Sequence, residues 1–284
     1  YDGATGYLVG DENRGLNYMF TTINEARIRV GGHGLACTTG ALQGAAQYAR
    51  DRVQGRPVGM TKEDAKNSTI IDHADVRRML MTIKAYSEAM RYMMYDNQMM
   101  LDFYYFGNKE QKNYGEMRCG LLTPISKSWI SDLSVELTSM AIQVYGGMGY
   151  VEETGVAQYF RDARIAPIYA GTNGIQALDL TLKKIHIDDG KAVDTLFDEM
   201  LSVTNELKDN ERLSKLNETL GVHIENLIKS TEKIRKLLIN DNQRRISGFS
   251  TAYTKMFGQV LGGYYMAKAA ILAEFSISFK SQLA

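Results

Sequence analysis

The residues of this chain whose types and spacing suit chemistry lie within residues 143–173. They are Gln143-Val144-Tyr145-Gly146-Gly147-Met148-Gly149-Tyr150, then Arg161-Asp162-Ala163-Arg164, then Ile168-Tyr169-Ala170-Gly171-Thr172-Asn173. Glycines let backbone approach a ligand closely. The N–H groups that open a helix attract phosphate or a developing negative charge. Gly146, Gly147 and Gly149 offer one such approach. Gly171-Thr172-Asn173, a turn with capping residues ahead of a helical run, offers a second. Arg27, Arg52, Arg161 and Arg164 are the cations that could meet an anion there. The plainer alternative is structural: glycines that end a helix, and solvated arginines.

No other constellation reads as reactive. His33, His73, His186 and His223 are scattered without ligand spacing, so no metal site is expected. Neither a Gly-Lys-Ser/Thr phosphate loop nor a G-x-G-x-x-G fingerprint occurs. The 33 basic and 33 acidic residues balance, which excludes the electrostatic footprint of a nucleic-acid binder. Cys37 and Cys119 are too few for a disulfide framework and point to a reducing, cytoplasmic setting. No apolar run approaches the ~18 residues of a membrane span.

The elements that must position these residues read as helices. Only 3 prolines occur in 284 residues, while Met, Leu, Ala and Lys are plentiful. The expected fold is all-α. A first helix spans Leu16 to about Arg52 and carries Gly31, Gly32, Gly34, Gly40 and Gly44, which fit close packing against a neighbour. A second spans Ala74 to Phe106, with Met79, Leu80, Ile83, Tyr86, Met90, Met93 and Met94 on one face. Residues 105–114 read as a loop. A third helix runs from Leu122 to Val144, with Pro124 in its first turn. A short helix around Gly155–Phe160 and a fourth long-range partner, Gly174 to Ile185, complete an antiparallel four-helix bundle.

Composition changes at Asp188-Asp189-Gly190. Beyond it, three amphipathic helices are expected at Val193–Leu207, Arg212–Ile239 and Gln243–Phe279. The last carries Phe249, Tyr253, Met256, Phe257, Val260, Tyr264, Ile271 and Phe275 on one side. Three units follow: residues 1–14, with a strand-like Tyr7-Leu8-Val9, as the exit of a missing N-terminal domain; 15–187 as the bundle; and 188–284 as a second helical domain.

Taken together, Gln143–Tyr150, Arg161–Ile165, Ile168–Gln176, Asn24-Glu25-Ala26-Arg27 and Tyr48–Arg52 resemble the C-terminal helical half of an acyl-CoA dehydrogenase. The resemblance covers residues 7–186 in order. The helices after Gly190 resemble the C-terminal extension of the larger bacterial subgroup. The resemblance implies FAD as cofactor and an acyl-CoA thioester as substrate. It also implies an electron-transfer flavoprotein as acceptor and a homodimer or homotetramer. A glutamate of the family removes the α-proton while a hydride leaves Cβ for the flavin. The thioester oxygen is received by the backbone N–H of the residue before Gly171 and by a flavin ribityl hydroxyl. Carried over residue by residue, Arg27, Tyr169 and Gly171 belong to the substrate site. Arg52, Gln143, Gly146 and Gly147 contact the FAD of a neighbouring subunit, and Thr172 contacts the FAD of its own.

Two positions depart from the family pattern. Gln54-Gly55-Arg56 stands where commoner members have an aromatic residue. Ala170 stands at the place of the catalytic glutamate, with its N–H retained. Ala26 stands where a minority of members place the base, and Glu25 or Glu153 are the only nearby carboxylates that could substitute. The expected function is therefore either α,β-dehydrogenation of an acyl-CoA or a non-catalytic subunit of the same fold that pairs with an active partner. A helical interaction domain without ligand is the plainest alternative.

Overall fold

The computed structural model describes the backbone of residues 1–240 and 242–282, with side chains to Phe275. Among the described residues all regular structure is helical. Helix α1 spans Gly15–Asp51, α2 Ala74–Phe106, α3 Lys109–Tyr145, α4 Val156–Ile165 and α5 Asn173–Leu182. After a 3₁₀ turn at Lys184–Gly190 come α6 (Lys191–Lys208), α7 (Ser214–Ile239), α8 (Gln243–Ser247) and α9 (Ser250–Gln282). The strand-like Tyr7-Leu8-Val9 is exposed and forms no strand.

Helix α3 is the axis of the molecule and packs against α1, α2, α4, α5, α6 and α9. So central a helix must bury its polar positions too. Ser131 and Ser134 therefore turn their hydroxyls onto the carbonyls of Ser128 (3.2 Å) and Ser131 (2.7 Å), and Thr138 onto that of Ser134 (2.6 Å). The helix begins earlier than its sequence suggested. Asn108 and Gln111 form a reciprocal capping box, so residues 109–114 are helical rather than loop. Pro124 consequently lies inside α3, not in its first turn. The carbonyl left without its i→i−4 donor is that of Gly120.

The methionines of α2 are core: Met79, Met90, Met93, Met94 and Met100 are all buried. The glycines of α1 allow close approach. A Cβ on Gly31 would stand 2.8 Å from Met94 Sδ, and one on Gly34 3.1 Å from Ser134 Oγ.

The last helices share this core, which is continuous from Ile28 to Ala267. At the turn before α6, Asp188 (φ 51°) and Asp189 (φ 53°) are left-handed. Arg235 of α7 secures the turn by donating to the Gly190 carbonyl (2.9 Å) and to Asp194 (2.9 Å). On α9, Tyr253, Phe257, Val260, Leu261, Tyr264 and Tyr265 are buried, whereas Phe275 is 72 % exposed. The apolar repeat of α9 runs on past its covering neighbours.

A buried ionic cluster ties the layers together. Arg118 of α3, 4 % exposed, donates to Glu199 of α6 at 3.0 Å and lies 3.5 Å from Asp96 of α2. Tyr114 donates to Glu199 (3.0 Å) and Tyr265 of α9 to Asp96.

Helix α9 meets α3 through glycine. A Cβ on Gly258 would fall 2.3–2.6 Å from Cγ, Cδ1 and Cβ of Trp129. Because Trp129 is itself enclosed, Gly258→Ala is expected to cost about 1–3 kcal/mol through overpacking, read as a lowered denaturant midpoint. An unchanged midpoint would show that α9 does not sit this tightly on Trp129.

Candidate functional site

The turn between α4 and α5 is tightly constrained backbone. Ile168 and Tyr169 donate to the Ile165 carbonyl at the end of α4, and Asn173 N–H closes back onto Pro167 O at 3.0 Å. Between them Ala170 (φ 56°) and Gly171 (φ 85°) are both left-handed. For alanine that conformation costs about 1–2 kcal/mol, so the surroundings must enforce it. Two cations do so. Arg27 Nε of α1 donates to Ala170 O at 3.3 Å, and Lys127 Nζ of α3 donates to Gly171 O at 2.8 Å. Thr172 then caps α5, its hydroxyl oxygen accepting from Ile175 N–H at 3.4 Å. Glycine suits position 171 because φ is 85°, and an added Cβ would also stand 2.9 Å from Gln176 Nε2 and 3.4 Å from Arg27 Nη2.

A trans peptide points its C=O and the following N–H in opposite directions. With the carbonyls of Ala170 and Gly171 held inward, the N–H groups of Gly171 and Thr172 face outward. Among the described residues the N–H groups of Ala170, Gly171 and Thr172 have no hydrogen-bond partner. Three consecutive donors thus have no acceptor among the described residues, where the family resemblance had implied one donor.

Behind the turn lies a polar network that sequence reasoning missed. Lys127 is fully buried. Its ammonium also donates to Asn173 Oδ1 at 2.8 Å, and Asn173 Nδ2 donates to Asp132 (2.7 Å), Ser131 Oγ (2.9 Å) and Ser128 O (3.2 Å). Burial, helped by the nearby Arg27 and opposed by Asp132, lowers the Lys127 pKa to about 8. The folded chain therefore releases this proton before the unfolded one does, and stability rises with pH between about 8 and the ordinary 10.5. Burial raises the Asp132 pKa. Gln176 is buried beside Gly171 with both amide atoms unpartnered. The available signal was a lone lysine in the otherwise uncharged run Leu121–Ser131.

Arg27 opens onto a cavity of about 400 Å³ lined by Glu25, Tyr104, Tyr105, Glu116 and Lys184 among others. Glu25 shares this cavity rather than turning away from it. It accepts from the Tyr105 hydroxyl, whose pKa is pushed up to about 12 by that bond, and lies 3.8 Å from Arg29. Tyr169, at the turn, meets His33 of α1, hydroxyl to Nδ1, at 3.4 Å.

The second glycine-marked segment lies elsewhere. Gly146 (φ 60°) ends α3, and a Cβ on Gly146 or Gly147 would meet nothing within 4 Å. Gln143, Gly146 and Gly147 are exposed. Tyr145 stacks on Tyr48 of α1 at 4.3 Å, beside a cavity of about 570 Å³ that includes Gly40, Gly44 and Tyr159. Arg52 caps the C-terminus of α1 and is exposed, without a side-chain partner among the described residues. It stands about 37 Å along the helix from Arg27 at ~1.5 Å per residue. Arg27 and residues 169–172 therefore come together, while Arg52, Gln143, Gly146 and Gly147 do not join them within one chain. Arg161 is engaged in a fork with Glu152 (3.0 and 2.7 Å) rather than free for a phosphate. Glu153 is exposed in a 3₁₀ turn. No group of His, Cys, Asp or Glu among the described residues could hold a metal ion.

Residues 13–182 match the family "Acyl-CoA dehydrogenase, C-terminal domain". Over 98 % of its length the chain is 37 % identical to the 3-methylmercaptopropionyl-CoA dehydrogenase of Ruegeria pomeroyi, covering 47 % of that protein. Over 67 % of its length it is 34 % identical to the broad-specificity linear acyl-CoA dehydrogenase FadE5 of Mycobacterium tuberculosis, covering 32 % of it. The chain thus spans half or less of these curated relatives. Two solved structures share the fold over nearly the whole chain. Caenorhabditis elegans ACDH-11 in complex with C11-CoA aligns with TM-score 0.73 at 20 % identity, over 93 % of this chain and 42 % of that one. A Bacillus anthracis acyl-CoA dehydrogenase complexed with FAD aligns with TM-score 0.72 at 17 % identity, over 95 % and 45 %.

Proposed function

The chain belongs to the acyl-CoA dehydrogenase family, and from that premise we propose that it carries the helical part of an FAD-dependent α,β-dehydrogenation site for an acyl-CoA thioester. The observation that supports this most is the row of N–H groups at Ala170, Gly171 and Thr172, unpartnered among the described residues, in a turn that two cations hold by the carbonyls of Ala170 and Gly171. Removing the α-proton of a thioester builds negative charge on its oxygen, and donors aimed at that point lower the barrier. Ala170 N–H receives that oxygen. Arg27, half-buried at the cavity mouth, holds the CoA end, and Tyr169 borders the acyl chain.

The residues fit FAD. Thr172 uses its oxygen lone pair in capping α5, which leaves its O–H free to donate to the cofactor of its own subunit. Gly146 and Gly147 offer backbone with open space where a side chain would stand, beside the exposed Gln143. With Arg52, they suit the adenine and phosphates of a cofactor in a neighbouring subunit. The length of α1 between Arg27 and Arg52 supports that division between subunits of a homodimer or homotetramer. When bound, FAD supplies the acceptor for the β-hydride, and an electron-transfer flavoprotein serves as the onward acceptor. No helix among the described residues is long and apolar enough to cross a membrane.

One observation favours a second reading. Ala170 puts a methyl where the family's base stands, Ala26 offers no carboxylate, and Glu25 is engaged by Tyr105. A non-catalytic subunit that binds acyl-CoA and pairs with an active partner would have this sequence.

The test is binding by the full-length protein. A flavin absorbance spectrum together with calorimetric titration by an acyl-CoA should show both ligands bound. Arg27→Ala is expected to weaken acyl-CoA at least ~10-fold, by loss of a charged hydrogen bond. A protein without flavin and without acyl-CoA affinity would refute the reading.

A further inference from the structure

We infer that Lys127 is a positioning residue: its buried ammonium, by holding the Gly171 carbonyl and the Asn173 side chain, fixes the 170–172 turn whose Ala170 N–H receives the thioester oxygen. This rests on the acyl-CoA reading above.

The geometry assigns the role in three steps. First, a left-handed alanine followed by a left-handed glycine is not a conformation the chain adopts unforced. Arg27 secures only the first of the two peptide planes, through Ala170 O. The second plane, between Gly171 and Thr172, is secured by Lys127 alone among the described side chains. Second, one ammonium serves two acceptors, Gly171 O and Asn173 Oδ1, each at 2.8 Å. It thereby couples the turn to the first residue of α5. Asn173 continues the chain of bonds to Asp132, Ser131 and Ser128 of α3, so the turn is referenced to the central helix of the molecule. Third, Lys127 is fully buried behind the turn, while the Thr172 N–H in the plane it holds faces the other way. It touches no ligand position itself. Its hold on the Gly171–Thr172 plane directs the Thr172 N–H outward, and it acts on the Ala170 N–H, in the Tyr169–Ala170 plane, by anchoring the turn that follows it.

A buried lysine could instead only fill and tie the core. The distinction lies in which ligand state suffers when it is lost. Loss of aim weakens the response to an oxyanion and spares a neutral thioester. Loss of packing weakens both.

The experiment uses the full-length holoprotein with two CoA esters. One is a saturated acyl-CoA, which binds neutral. The other is acetoacetyl-CoA, a 3-ketoacyl thioester whose α-proton can be lost to give an enolate, read by its ultraviolet absorbance. In the unaltered protein the bound 3-ketoacyl ester should ionise more readily than in water. Lys127→Met should lower that ionisation constant at least ~10-fold, because misaimed donors forfeit part of the 10²–10³ such a donor is worth. Its affinity for the saturated ester should change less than about threefold, the size of a minor packing adjustment. Lys127→Gln retains an amide NH₂ donor in a neutral side chain. It should fall between the two, and it carries the test if the methionine variant does not fold. Equal losses for both esters, or undiminished enolate formation in the variants, would overturn the proposal. If the unaltered protein binds neither ester, the acyl-CoA reading itself fails, and the positioning role with it.

Discussion

Ala170→Glu should raise the rate of anaerobic flavin bleaching by acyl-CoA in the full-length protein by about 10²–10⁴-fold, the usual contribution of a positioned general base. Everything else at the position is in place. The backbone N–H of residue 170 is unaffected by a side-chain change and is unpartnered among the described residues. The carbonyl is already held by Arg27, and the φ of 56° is as costly for alanine as for glutamate. The substitution therefore adds a carboxylate without asking the turn to move. A panel of acyl-CoAs of different chain length guards against a poor choice of substrate. Fast bleaching by the unaltered protein, with no gain from the glutamate, would place the base elsewhere. Glu25 would then be the first residue to replace.

Arg118→Met should destabilise the folded chain by about 3–5 kcal/mol, the cost of removing one partner from a buried ion cluster. The methionine fills much of the volume, so the loss is chiefly electrostatic. Among the described residues Arg118 is the one cation paired with both Glu199, 3.0 Å away, and Asp96, 3.5 Å away, and it is 4 % exposed. Its removal leaves two carboxylates in one partly buried space, with the hydroxyls of Tyr114, Tyr264 and Tyr265 as donors among the described residues. These groups belong to α2, α3, α6 and α9, so the loss should loosen the later helices from the bundle. Denaturant midpoint and early proteolysis of residues 191–275 would both report it. A midpoint within about 0.5 kcal/mol of the parent would show that the cluster is neutral to stability, as replaced buried pairs sometimes are.

Much of this fold is legible in the sequence because long helices repeat their apolar residues regularly. The stripe Met79–Met94 predicts α2 over Ala74–Phe106, its observed bounds. The start of α3 is lost to a reading of Tyr105–Tyr114 as loop, although the Asn108 and Gln111 capping pair was there to be read. Pro124 drew the start of that helix too late. Its place inside α3 leaves the Gly120 carbonyl without its helical donor where Gly120 and Pro124 line the cavity at Arg27 rather than the closed core. Phe275 fits the repeat of α9 yet lies exposed, because periodicity shows which face is apolar but not how far the neighbours extend.

The site divides the same way. Residues 168–173 are contiguous, so the turn and its cap can be read directly. That Arg27, 143 residues away, grips Ala170 O is reached in the sequence only through family resemblance. Lys127 escapes both routes. A lysine in an otherwise uncharged run signals an unusual environment, but its partners Gly171 and Asn173 lie 44 and 46 residues on, across a tertiary contact.

The most direct measurement of the central claim, an acyl-CoA site complete but for its base, is hydrogen exchange at the substrate Cα in D₂O. The full-length protein should bind a saturated acyl-CoA yet exchange its α-hydrogens at least ~10²-fold more slowly than Ala170→Glu. Exchange by the unaltered protein at the rate of the variant would contradict the claim.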